Sequence, residues 1–204
     1  MAYFPMFVDL AECSGLIVGG GTVALRKVEK LLPYGPRLTV VAPTLLPELF
    51  HFPIHTVCRA FCSDDLTGAD FVIAASDDRE VNRTVAALCR ERGIPVNAVD
   101  DKQACTFLFP ALVRRGELSV GISTGGSSPT AAVWLKEQIS ALLPPRLDEI
   151  LLWLEEQRPR IKARCPEEAV RSRLFTRMFQ ACLEQGAPLT DAQLADLLEQ
   201  EVEL

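Results

Sequence analysis

The fold of this chain is decided by nine residues, Leu16 to Ala24, which read LIVGGGTVA. A short apolar run stops at three glycines, and helical periodicity begins directly after them. This order is typical of the strand-to-helix turn of a dinucleotide-binding fold. Gly19 would allow the tight turn there, and Gly21 would let the backbone approach a pyrophosphate. The stretch therefore predicts a nucleotide site at the start of a parallel α/β sheet.

The residues that follow predict alternating helices and strands. Apolar residues recur at helical spacing from Ala24 to Leu32, and Pro33 ends that helix. Further apolar runs predict strands at 38–41, 71–75 and 95–99, with a helix at 79–92. The stretch 45–62 is less regular. We expect five strands and their crossovers to fill roughly the first hundred residues, as a Rossmann-like domain over residues 1–112.

The pattern changes after this domain. Extended runs at 106–113 and 118–123, joined by a turn at 114–117, predict a hairpin. Ser128 as N-cap and Pro129 as first helical residue begin a helix that reaches Leu143. We therefore expect a small α+β region at 113–145 and a helical C-terminal region at 146–204. Its helices lie near 146–164, 167–185 and 190–202.

Composition excludes several classes of function. A net charge of −6 argues against a nucleic-acid binder, and no apolar run is long enough to cross a membrane. The amino terminus lacks the features of a signal peptide, and the seven cysteines are scattered, as expected of reduced thiols in a cytoplasmic protein. His51 and His55 stand four apart, but Pro53 opposes the helical turn a shared metal would need, so no metal site is expected.

The nucleotide signature lacks one usual part. An acidic residue that binds the ribose should stand about twenty residues beyond the glycines, where residues 41–44 read VAPT instead. No arginine directly follows the predicted strand at 38–41 either, so a residue that would bind the 2′-phosphate of NADP is not evident. This tilts the choice of cofactor towards NAD.

Four segments carry a resemblance to a known family: YFPMFVDL at 3–10, VGGGTVALRK at 18–27, VNAVDD at 96–101 and ISTGGSSP at 122–129. Together they resemble the precorrin-2 dehydrogenase family, which includes the sirohydrochlorin ferrochelatases and the amino-terminal half of siroheme synthase. The resemblance covers residues 3–145. It implies oxidation of precorrin-2 to sirohydrochlorin in siroheme biosynthesis, with NAD as hydride acceptor.

The resemblance also implies a homodimer in which residues 113–145 form the dimerisation region. Some members of the family insert ferrous iron into sirohydrochlorin. Any such ferrochelatase activity is expected here to use Asp100, the same carboxylate as the oxidation. Because no methyltransferase portion follows, we expect uroporphyrinogen methylation to come from a separate protein.

The resemblance assigns cofactor and catalytic residues. Cofactor contacts are expected from the glycine turn, the end of the second strand and the end of the 71–75 run, at Gly19, Gly20, Gly21, Thr22, Val23, Pro43, Thr44 and Ser76. The acidic residue of the family's N-x-V-D run falls on Asp100. A dehydrogenation that removes a hydride and a proton needs a base, and Asp100 follows a strand whose carboxyl end should border the ligand crevice. From the residues alone, a solvated carboxylate that caps a turn is the favoured interpretation of Asp100.

The substrate carries many carboxylates, so an acidic protein needs local positive charge to hold it. Lys102, Arg114 and Arg115 are the candidates, although a charged hairpin tip facing water would read the same way. The turn residues Ser123, Thr124, Gly125 and Gly126 offer hydroxyl and N–H groups that suit carboxylate arms. Alternatively, they are only a turn before a helix.

Two other functions fit parts of the pattern. A regulatory module that senses NAD without catalysis would explain the glycine turn and the sheet, but not the paired acids Asp100 and Asp101. A dehydrogenase of the same fold could also act on another polycarboxylate.

Overall fold

The computed structural model describes residues 3–202, with side chains described as far as residue 200, and the chain divides into two compact units, Met1–Phe109 and Pro110–Leu204. The first unit alternates strands and helices, as the apolar runs predict. Its elements are β1 Ser14–Val18, α1 Thr22–Leu31, β2 Arg37–Ala42, β3 His55–Cys58, β4 Phe71–Ala74, α2 Arg79–Glu91 and β5 Val96–Ala98. Short 3₁₀ helices lie at Leu32–Tyr34, Pro47–His51 and Ser63–Leu66.

The described strands of this unit form one parallel sheet of five, in the order β3-β2-β1-β4-β5. The chain leaves the central strand β1 towards β2 and β3, then returns to place β4 on the other side of β1. The carboxyl ends of β1 and β4 therefore border a topological switch point, where open α/β sheets bind ligands. This confirms the predicted Rossmann-like fold.

The central strand is buried on both faces of the sheet. Leu16 and Val18 pack into one core with Val85 and Cys89 of α2, while Ile17 packs into the other with Val28 of α1. Because side chains alternate along a strand, a fully apolar strand is stable only when both faces are covered. The two cores thereby fix the turn after β1 in place.

The second unit combines a hairpin with helices. Its elements are β6 Ala111–Arg115, β7 Leu118–Ile122, α3 Pro129–Leu142, α4 Leu147–Arg164, α5 Glu168–Gln185 and α6 Asp191–Val202. The helical core is formed by α4, α5 and α6, with Ile161, Met178 and Leu194 fully buried. Thr190 and Gln193 cap α6 reciprocally: Thr190 N–H donates to Gln193 Oε1 (2.8 Å), and Gln193 N–H donates to Thr190 Oγ1 (3.4 Å).

Two local predictions were wrong. The first hairpin strand was expected from residue 106, but it begins at Ala111, because the Thr106 N–H donates to the Val96 carbonyl (2.8 Å) and ties this segment back to β5. Arg114 and Arg115, expected in a turn at 114–117, lie within β6, and the hairpin turn is formed by residues 116–117. The stretch 45–62, expected to be less regular, contains the edge strand β3, which completes the expected five strands.

No helix within residues 3–202 has both the length and the apolar character that crossing a membrane requires.

Candidate functional site

The glycine turn after β1 is packed against the ends of two neighbouring strands. A Cβ atom on Gly20 would lie 2.1 Å from the Thr44 carbonyl oxygen, and one on Gly19, whose φ is +130°, would lie 2.3 Å from the Ala75 carbonyl oxygen. A side chain is therefore excluded at both positions. A Cβ on Gly21, in contrast, would have no described heavy atom within 4 Å. The turn is closed towards the protein and open outward at Gly21.

Helix α1 begins at this open position. Gly21 is its N-cap, and among the described residues no side chain caps the helix and no acidic residue lies in its first turn. The N–H groups of a first helical turn lack partners within the helix and carry a partial positive charge. Thr22 is exposed and Val23 is partly buried at this end. The arrangement suits an anionic group such as a pyrophosphate.

Ser76 is held beside the turn by a residue of α2. The Ser76 N–H donates to Asn82 Oδ1 (3.0 Å), and Asn82 Nδ2 donates to the Ser76 carbonyl (2.8 Å). Asn82 is only 5% exposed, so its amide satisfies both backbone groups of Ser76 in a buried setting. The structure thus brings the glycine turn together with the segments that hold Thr44 and Ser76, three parts that the sequence assigned to cofactor binding.

Asp100 lies at the same edge of the sheet, after β5. The Val99 N–H donates to the Ala74 carbonyl at the end of β4 (2.9 Å), which places the start of the Asp100 turn next to the switch point. Asp100 itself is exposed, has a φ of +61°, and makes no hydrogen bond or ion pair with any described residue. Asp101 differs, because its Oδ1 accepts the N–H groups of Gln103 and Ala104, both at 3.1 Å. Of the two acids, Asp101 shapes the turn and Asp100 is available to a ligand.

Lys27 is a charged residue of this region that the sequence analysis did not single out. Its Nζ lies 3.6 Å from the centroid of the Phe109 ring, and it has no hydrogen-bond acceptor among the described residues. Burial lowers the pKa of Lys27 to about 8, and the nearby Lys30 adds to that shift. The ammonium links α1 to the segment that follows the Asp100 turn through a cation–π contact.

The residues predicted to hold the substrate fall in both units. Lys102 is exposed in the Asp100 turn of the first unit, whereas the other six belong to the second. Arg115 donates from its two guanidinium Nη atoms to the carbonyls of Pro144 and Ser140, both at 3.5 Å. Thr124 Oγ1 bonds both backbone groups of Ser128 at 3.1 Å, and the Gly125 N–H donates to Ser123 Oγ at 3.2 Å. The turn before α3 is therefore internally braced, and the exposed Gly126 lies within it.

Within the part of the chain that the structure describes, no group of three histidine, cysteine or acidic residues could hold a metal ion.

Two family models match the chain. The model described as "Putative NAD(P)-binding" covers residues 6–111, and the model described as "Sirohaem biosynthesis protein central" covers residues 115–142. The first spans the whole parallel sheet, and the second begins in β6 and ends with α3.

Curated relatives and a solved structure agree with these models. The siroheme synthase of Thioalkalivibrio sulfidiphilus is 40% identical over 184 residues, which cover 88% of this chain and 38% of the relative. Siroheme synthase 3 of Aeromonas hydrophila is 39% identical, with 97% and 44% covered. The chain thus spans about two fifths of the length of these relatives. The structure of SirC, a precorrin-2 dehydrogenase, is similar with a TM-score of 0.76 and 26% identity, covering 99% of this chain and 100% of SirC.

Proposed function

Since the chain belongs to the NAD(P)-binding family whose model spans residues 6–111, we propose that it oxidises precorrin-2 to sirohydrochlorin, a step of siroheme biosynthesis, with NAD as the acceptor. The observation that carries this proposal is the pairing of an open glycine turn with an unpartnered carboxylate at one edge of the sheet. The likeness to SirC over the full length of both chains supports it. A regulatory module without catalysis would need the open glycine turn but not the unpartnered carboxylate.

The residues at the switch point fit a dinucleotide. Gly19 and Gly20 allow the turn to press against the ends of β4 and β2, and Gly21 leaves the first turn of α1 accessible. We assign the pyrophosphate to the N–H groups of Thr22 and Val23, and the walls of the nucleotide site to Pro43, Thr44 and Ser76. When bound, NAD supplies the two-electron acceptor for the hydride that leaves the substrate.

Asp100 is proposed as the general base. Oxidation of precorrin-2 removes one hydride and one proton, and the Asp100 carboxylate accepts that proton while the electron pair of the broken C–H bond leaves with the hydride. An exposed carboxylate without an internal partner can approach a bound ligand without first breaking an ion pair. Asp101 is not interchangeable with Asp100, because its carboxylate oxygen Oδ1 accepts two backbone N–H groups of the turn.

The carboxylate arms of the substrate need cations and N–H donors. We propose Lys102, Arg114 and Arg115 as the cations, with the turn from Ser123 to Gly126 as a second group of donors. These side chains would set the affinity for the macrocycle and leave the affinity for NAD unchanged.

We also propose a homodimer that uses the α3 face. The described side chains of α3 include Val133, Trp134 and Leu135, which are 50%, 57% and 38% exposed. Large apolar side chains at this exposure are unusual for a helix that stays in water. A second copy of the chain is the partner that the family resemblance implies.

All seven cysteines lie among the described residues and are free, which supports a reducing compartment such as the cytoplasm.

The test is anaerobic incubation of the protein with precorrin-2 and NAD, with and without ferrous iron, followed by analysis of the products. Formation of NADH together with sirohydrochlorin supports the dehydrogenase. NAD binding without NADH formation would instead favour the sensing module. Conversion of sirohydrochlorin to siroheme faster than in a protein-free control would add iron insertion as a second activity, with iron as its substrate.

A further inference from the structure

The turn that carries Asp100 is built around one buried sulfur atom. Cys105 is 6% exposed, and its Sγ accepts the Ala98 N–H at 3.2 Å. The same sulfur lies 3.2 Å from the Ala98 carbonyl and 3.3 Å from the Asp101 carbonyl, which share its S–H as donor. One thiol therefore ties down the backbone on both sides of Asp100.

The Asn97 side chain lies against the Cys105 sulfur and helps to hold it in place. Its Nδ2 donates to the Phe107 carbonyl at 3.0 Å and lies 3.5 Å from Cys105 Sγ, and the side chain is buried. From α2, the Arg90 guanidinium donates to the Gln103 carbonyl. The segment after β5 is thus fixed at several points, while the exposed Asp100 side chain between them makes no hydrogen bond or ion pair with any described residue.

Asp100 is held in a backbone conformation that few residues adopt. Its φ of +61° lies in the left-handed region, which aspartate and asparagine tolerate better than most residues but which still costs about 1 kcal/mol or more. Such a conformation persists only when the surrounding structure imposes it. The two carbonyls held by Cys105, one on each side of Asp100, are among the contacts that fix this segment.

We propose that Cys105, braced by Asn97, is a positioning residue that presents the Asp100 carboxylate to the substrate. This inference rests on the proposed function, because it assigns Cys105 no chemistry apart from that of Asp100. Cys105 packs with Val96, Ala98 and Val72 in an apolar core, where a thiol is tolerated better than a hydroxyl. Burial raises the pKa of the Cys105 thiol, so it keeps the proton that the two carbonyls share.

The test is a double-mutant cycle between Cys105→Ala and Asp100→Asn, with Cys89→Ala as the matched control. Cys89 is a fully buried thiol in the same core but lies on α2 and makes none of these contacts. We expect Cys105→Ala to lower kcat about 10- to 100-fold, as a small misplacement of a catalytic group can do. The affinity for NAD, measured by calorimetry, should change less than about 2-fold.

The decisive outcome is the behaviour of the double variant. If Cys105 acts through Asp100, Cys105→Ala has no further effect on kcat in the Asp100→Asn background. Cys105→Ser keeps a donor and an acceptor, so it should recover a large part of the lost kcat. Cys89→Ala should lower thermal stability without lowering kcat.

Three results would overturn the inference: an unchanged kcat in Cys105→Ala, an equal loss in both backgrounds, or an equal loss in Cys89→Ala. Should Cys105→Ala fail to fold, Cys105→Val, which also removes the donor and the acceptor, completes the same cycle. Full activity of Asp100→Asn would instead remove the base assigned under the proposed function. The two failures are therefore distinguishable.

Discussion

Gly20→Ala is the substitution that most directly perturbs the proposed cofactor turn. The new Cβ would lie 2.1 Å from the Thr44 carbonyl oxygen and 2.9 Å from Leu45 Cδ2, so the first contact is more than 1 Å too short. Because Thr44 O is a backbone atom, the turn itself must move, which endangers the bond from the Leu46 N–H to the Gly20 carbonyl (2.9 Å). Overpacking and one lost hydrogen bond together should destabilise the fold by about 2 to 4 kcal/mol.

Gly21→Ala is the matched control. The same methyl group meets no described heavy atom within 4 Å at this position, and the backbone angles of φ −91° and ψ −167° suit any residue. Stability should change by less than about 1 kcal/mol, because alanine restricts the unfolded chain but is a poorer N-cap residue than glycine. The affinity for NAD should nevertheless fall at least about 10-fold, since the methyl group fills the space through which a pyrophosphate approaches the backbone.

The two variants are compared by urea unfolding followed by circular dichroism, and by calorimetric titration with NAD. We expect Gly20→Ala to lose both stability and binding, and Gly21→Ala to lose binding alone. A Gly20→Ala protein as stable as the unsubstituted chain would refute the packing argument. Undiminished NAD affinity in Gly21→Ala would refute the assignment of the pyrophosphate to this turn.

Three further predictions concern other parts of the molecule. The hydrogen-bonded Arg59 lowers the pKa of Asp65 to about 2, so the ionised carboxylate stabilises the fold above its usual pKa of 3.8, and this stabilisation is lost as the pH falls through 2. Asp65→Asn should therefore lower the urea midpoint at pH 7 but not near pH 2, and equal losses at both pH values would contradict this prediction. Trp134→Glu should convert a dimer into a monomer in light scattering, and an unchanged mass would exclude this face. Lys102→Gln should raise the KM for precorrin-2 about 10-fold with NAD affinity unchanged, and an unaltered KM would remove Lys102 from the substrate site.

The fold was largely predictable because its signals are local. The apolar run that ends at Gly19 and the helical spacing from Ala24 onward determine β1 and α1 over short distances in the chain. The hairpin start was missed for the opposite reason. Thr106 has good strand propensity, but its partner is Val96, ten residues earlier, and not the strand that follows. A single sequence does not reveal that competition between partners.

The candidate site was predictable only in part. The glycines after the first strand, the acids that follow the last strand of the sheet and a resemblance over four segments were sufficient to point to the glycine turn and to Asp100. Asn82 and Cys105 gave a weaker signal, because each occupies a position where an apolar residue would also fit. Asn82 shares the buried face of α2 with Val85 and Cys89, and a polar residue on such a face indicates a buried partner. That partner, the Ser76 backbone, is visible only in the folded chain.

The central claim is that Asp100 and the glycine turn serve one reaction, and an anaerobic single-turnover comparison tests it directly. Saturated with NAD and mixed with precorrin-2, the unsubstituted protein should form about one NADH per substrate oxidised. Asp100→Asn, which retains the tolerance of a positive φ, should bind NAD equally well and form NADH at least about 100-fold more slowly. NADH formation by Asp100→Asn at the rate of the unsubstituted protein would contradict the account.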